Sequence, residues 1–152
     1  MPLKQRITDE MKAALLGGNR FAGETLRNLK AAILNEEVAK NKRDEGLSDA
    51  EIEQVIAREV KKRAESARLY RENDRPELAE PEEAEAEVLQ RYLPDPLGDD
   101  DIRAMVRLKI RELGGADPAM LGQIIGAIKQ AAGNSADGAI IAKIVKEELS
   151  KN

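Results

Sequence analysis

The run Leu93-Pro94-Asp95-Pro96-Leu97-Gly98 decides the architecture. Proline has no amide N–H to give a helix, and it pushes the residue before it out of the helical region. Two prolines spaced this way forbid a continuous helix, while the sequence on either side keeps helical periodicity. The expectation is an all-α protein in two domains. Residues 1–93 form an N-terminal four-helix part, 94–98 a linker, and 99–152 a small C-terminal three-helix part.

Working back from the linker, Val88, Leu89 and Tyr92 give residues 81–92 an inward side. Pro81 is expected to open that helix, because inside one its ring clashes with the carbonyl of Glu77; only a short turn is then left for 76–80. Ser48-Asp49-Ala50-Glu51 has capping-box spacing and starts a helix predicted to run to about residue 72. Its apolar arc is Ile52, Val55, Ile56, Val60, Ala67 and Tyr70, and Glu59 and Arg63 fall inside the arc one turn apart. They read either as a partly buried ion pair that fixes helix register or as an arginine held for an anionic ligand. Ala22, Leu26, Leu29 and Ile33 stripe a helix over 20–39, and Leu3, Ile7, Met11 and Leu15 one over 3–16.

Forward of the linker, Asp99-Asp100-Asp101 places negative charge at a helix start, where the helix dipole favours it. Ile102, Met105, Val106, Ile110 and Leu113 follow as a stripe, and Gly114-Gly115 ends it. Asp117-Pro118 predicts an N-cap and first position for the next helix. That helix carries Gly122 and Gly126 on one flank, with Lys129 on its last turn. An interior helical glycine costs about 0.5–1 kcal/mol against alanine, so the pair calls for close approach by a helix, a ligand or a nucleic-acid backbone. Ile140, Ile141, Ile144, Val145 and Leu149 give the last helix a broad apolar face.

Composition narrows the chemistry. With 152 residues, 36% charged and 41% hydrophobic, the chain is long and apolar enough for a core. Aromatics are only Phe21, Tyr70 and Tyr92, which argues against base-stacking platforms. Without cysteine or histidine there are no disulfides, Cys/His zinc sites or Ser-His-Asp triads. No apolar run approaches the roughly 20 residues of a membrane span, and the N-terminus lacks a signal-peptide core, so a cytoplasmic protein is expected. Net charge is −4, but residues 58–75 carry a local +3 and residues 77–87 a local −6, a reversal expected of two helix faces that pair.

The ordered set Leu26–Glu37, Glu59–Ser66, Tyr92-Leu93-Pro94, the Gly122/Gly126 helix and Ala136-Asp137-Gly138 resembles YqeY-like proteins along essentially the whole chain. These share this region with the C-terminal tail of GatB, a subunit of the glutamine-dependent tRNA amidotransferase. The resemblance implies the two-part helical fold and a carbon–nitrogen ligase label with glutamine as amide donor. It also implies an association with tRNA, since the tail is linked to holding tRNA while the chemistry sits elsewhere. Relatives typically read Lys-Gly-Arg-Ala-Asp before the last helix, where this chain reads Gly133-Asn134-Ser135-Ala136-Asp137. Asn134 is expected to take the left-handed conformation of the missing glycine. Losing two basic side chains weakens any phosphate contact by this loop.

Candidate contacts for nucleic acid are Arg27, Lys30, Lys61, Lys62 and Arg63 as one patch, with Gly122, Gly126 and Lys129 as a second. The partner is then tRNA or a tRNA-handling complex. A competing reading makes the glycine groove a seat for a partner protein's helix. Whether the chain is an enzyme stays open. Ser48 and Ser135 are expected as caps, and Ser66 with Lys62 is the only geometric nucleophile–base candidate. No cofactor, metal site or complete catalytic site is expected.

Overall fold

The computed structural model describes residues 2–151. Seven α-helices run in order among them: α1 Leu3–Leu16, α2 Arg20–Ala39, α3 Asp49–Glu72, α4 Pro76–Gln90, α5 Asp99–Glu112, α6 Leu121–Ala132 and α7 Gly138–Leu149. Short 3-10 turns at Pro118–Met120 and Gly133–Ser135 precede α6 and α7, and no strand occurs among the described residues. The fold is all-α. The residues group into two compact units, one up to Leu93 and one from Pro94.

In the first unit, α1 packs on α2 and α3, α2 also packs on α3 and α4, and α3 pairs with α4. The predicted stripes face inward: Leu3, Ile7, Leu26, Leu29, Ile33, Ile52, Val55, Ile56, Leu89 and Tyr92 share one core with Leu47. Burying each large aliphatic side chain stabilises the unit by about 1.5–3 kcal/mol before entropy is counted. Gly23 sits where α2 meets α1. A Cβ there would lie 2.5 Å from Cδ2 of Leu15, so any larger residue would have to push the Leu15 side chain aside.

The capping box at Ser48 is formed: Glu51 N–H donates to Ser48 Oγ at 3.2 Å, and Ser48 N–H donates to Glu51 Oε1 at 3.1 Å. Lys42 and Lys40 add their ammonium groups to the same carboxylate at 3.1 and 3.3 Å. The Ser48 amide and these lysines hold the Glu51 carboxyl down at about 2.

One boundary corrects the sequence reading. α4 begins at Pro76 and continues through Pro81 to Gln90, rather than starting at 81. Pro81 removes one helical hydrogen bond, to the Glu77 carbonyl. Tertiary contacts override that cost. Ala79 and Leu89 are fully buried, Glu83 bonds Arg71, and Glu85 bonds Arg63, all from the same helix onto α3.

The second unit is α5, α6 and α7 packed pairwise around Ile102, Val106, Ile124, Ile128, Ala132, Ile141, Ile144, Val145 and Leu149. Ile140 lies at the edge of its helix's apolar face and is exposed. Leu97, from the proline-rich run, belongs to this unit: it packs on the core, and its N–H donates to the Ser135 carbonyl at 2.8 Å. Asp117 caps the turn before α6 and Asp137 caps α7, each accepting from the amide two residues on. Two expectations for the loop before α7 fail. The positive φ, +56°, belongs to Gly133 and not to Asn134, so the glycine makes the turn that Asn134 was expected to make. Ser135 is not the cap; Asp137 fills that role.

Candidate functional site

The predicted basic residues of the first unit lie on α2 and α3 in different states. Arg27 is exposed and makes a surface pair with Glu24 at 3.3 Å. Lys30 is half-buried on the same helix and makes no ion pair among the described residues. Lys61 is exposed but has an electrostatic or hydrogen-bonding partner. Lys62 lines a groove between α2 and α3 with Ala32, Asn35, Glu36, Val55 and Arg58, and makes no ion pair among the described residues. At that groove Arg58 is committed to Glu36 at 2.8 Å.

Arg63 departs from the expected patch. It is 9% exposed, and its guanidinium donates to Glu59 Oε1 at 3.0 Å and to Glu85 Oε2 at 2.9 Å. Of the two sequence readings, the buried ion pair is the one formed, with a second carboxylate from α4 that residue spacing did not reveal. The charge reversal along α3 and α4 resolves the same way. Arg71 pairs with Glu83, Arg75 with Glu77, and Arg68 with Glu65 and Glu72, so most of the local positive charge is neutralised in place.

In the second unit, Gly122 and Gly126 are exposed on the outer flank of α6. A Cβ built on either meets nothing within 4 Å, so no helix of this unit fills the predicted groove. Lys129, also exposed, lays its side chain across the start of α7. A Cβ on Gly138 would come 2.9 Å from Lys129 Cε, a contact the lysine tail can relieve by swinging aside. The first-unit and second-unit candidates therefore belong to separate structural units.

The proposed Ser66–Lys62 pair forms no hydrogen bond among the described residues. Among those residues no group of three or more acidic side chains converges as a metal site.

A cluster absent from the sequence reading gathers at α5 and α7. Arg103, Arg107 and Lys151 all donate to the carboxylate of Glu148, which is 6% exposed. Those contacts, Arg107 foremost, hold the Glu148 carboxyl down at about 2. The signal was present as basic residues at four-residue steps on α5, but their acidic partner lies 41 residues from Arg107.

Compared with known proteins, residues 4–149 match the model of the Yqey-like protein family. The chain belongs to the YqeY-like family. It is also 31% identical over 85 residues to the "Altered inheritance of mitochondria protein 41, mitochondrial" of Clavispora lusitaniae, covering 55% of this chain and 47% of that protein. The match thus spans about half the length of that curated relative. No helix among the described residues is long and apolar enough to cross a membrane.

Proposed function

We propose that this YqeY-like protein is a non-catalytic RNA-docking module, with tRNA as its first candidate ligand. The observation that carries the reading is the open flank of α6. Two helical glycines, each costing about 0.5–1 kcal/mol of helix stability, leave an open flank where a Cβ on either would meet nothing within 4 Å. Lys129 stands exposed one turn further on. Bare backbone beside an uncommitted cation suits a phosphodiester chain, which needs close approach and charge neutralisation. On the first unit, Lys30 and Lys62 supply further cations not spent on internal pairs.

A gel-shift titration of tRNA at low ionic strength tests this reading. Retention should weaken with salt, and the joint variant Lys30→Ala/Lys62→Ala should lower the salt slope by roughly one per lost phosphate contact. No retention at low salt sinks it. The glycine flank also fits the helix of a partner protein, because an unfilled groove of two glycines is shaped for one. Loss of a co-purifying protein in Gly122→Ala/Gly126→Ala, with RNA retention unchanged, selects that second reading.

Amide transfer is not assigned to this chain. Incubation with glutamine, ATP, magnesium and glutamyl-tRNA should release no glutamate; release that scales with protein concentration overturns the non-catalytic part of the proposal.

A further inference from the structure

Arg103, Arg107 and Arg111 lie at four-residue steps, so they share one flank of α5. α7 brings Glu147 and Glu148 against that flank, and Lys151 follows just after. Glu148 is saturated: one oxygen accepts from Arg103 Nη1 at 3.0 Å and Lys151 Nζ at 3.0 Å, the other from Arg107 Nε at 3.0 Å. Arg107 Nη2 adds a contact at 3.3 Å. The carboxylate thus fixes the edge of the Arg107 guanidinium while leaving its Nη1 donors without a protein partner. Arg111, exposed, makes no ion pair among the described residues.

These groups surround an open depression of about 530 Å³ lined by Ala104, Arg107, Ile110, Arg111, Glu148 and Lys151. Three cations face one carboxylate there, a surplus of two positive charges in a chain whose net charge is −4. Of the other acids nearby, Glu147 is committed to Arg103 at 3.2 Å and Glu112 to Lys109 at 3.5 Å. A pre-oriented guanidinium, a free guanidinium and an ammonium form a donor set matched to tetrahedral oxyanions, since arginine binds them bidentately. Ala104 and Ile110 add an apolar wall for the carbon portion of such a ligand.

We propose that this hollow binds a phosphate group, held by Arg107, Arg111 and Lys151 and kept in register by Glu148. The inference stands apart from RNA docking at α6, because it uses different residues and a different face. Either a free oligophosphate or the backbone of a nucleic acid presents this chemistry.

Calorimetric titration of the full chain with tripolyphosphate, and separately with a short RNA lacking a terminal phosphate, tests it at fixed low ionic strength. Binding of at least one probe is expected, weakened about five- to tenfold by Arg111→Ala and left unchanged by Lys146→Ala. Arg111→Ala is the deciding variant because that side chain is exposed and makes no ion pair or hydrogen bond among the described residues. Tripolyphosphate binding alone assigns a free oligophosphate; RNA binding alone, or competition between the probes, assigns a nucleic-acid backbone. Absence of binding by both probes, or equal binding by the Arg111→Ala variant, overturns the proposal. Tripolyphosphate binding with no tRNA retention leaves this site standing while the RNA reading falls.

Discussion

The two units handle positive charge in opposite ways. Along α3 and α4, arginines are matched by glutamates from the same or the neighbouring helix: Arg63 by Glu59 and Glu85, Arg71 by Glu83. Across α5 and α7, three basic side chains converge on one buried Glu148, and Arg111 stands beside them unmatched. Residues 58–75 hold the larger number of basic side chains, yet most of them are matched in place. Fixed partners, and not counts, decide where a protein presents charge.

The most direct way to break this contrast is at Arg63. Arg63→Ala leaves Glu59 and Glu85 facing each other half-buried without their cation, and should cost about 2–4 kcal/mol in urea unfolding. A loss under 1 kcal/mol would mean that the α3–α4 pairing is ornamental. Acid sharpens the comparison next. Glu148 and Glu51 have carboxyls held near 2, below the ordinary 4.5, so their folded-state pairing contributes stability above about pH 4.5. That contribution is lost as the pH falls towards 2. Glu148→Gln should remove about 1–2 kcal/mol of this pH-dependent stability, read by chemical denaturation at pH 6 and pH 3. An unchanged pH profile would show that the cluster does not bind its carboxylate in solution.

Smaller and opposite in sign, Gly122→Ala/Gly126→Ala should raise stability by about 1–2 kcal/mol, because a Cβ at either site meets nothing. Thermal melting checks it; a lower melting temperature would reveal a neighbour on that flank. Smallest is Arg71→Gln, which removes an exposed, solvent-screened pair with Glu83 and should leave the urea midpoint nearly unmoved. A shift as large as that of Arg63→Ala would show the exposed pair to matter as much as the buried one.

Much of the fold was legible because it rests on local signals. The stripes, the Ser48 box and the proline-rich run placed helices that the chain adopts, since each signal acts within a turn or two. Pro81 misled for the complementary reason. Its local cost is real, but Leu89, Ala79 and two interhelical ion pairs act from outside the segment. The loop before α7 misled by one residue, because Gly133 can adopt the positive φ more cheaply than Asn134.

The candidate site was less legible. Arg63 and Lys62 are adjacent and equally basic in sequence, yet one is enclosed by glutamates from two helices and the other is not. Arg107 and Glu148, 41 residues apart, carry no mark of their meeting. Partnership across helices is a property of packing, and periodicity is silent about it.

The lysine lying over Gly138 has a consequence for how this chain can change. Lys129 Cε occupies the space a Cβ at 138 would need, so a side chain at 138 changes where the lysine tail can lie. Gly138→Ala alone must displace the lysine tail, whereas in a Lys129→Ala background the same methyl finds room. Because that tail is exposed and can swing aside, the coupling between the end of α6 and the start of α7 is small, and it acts on where the ammonium sits more than on whether α7 forms.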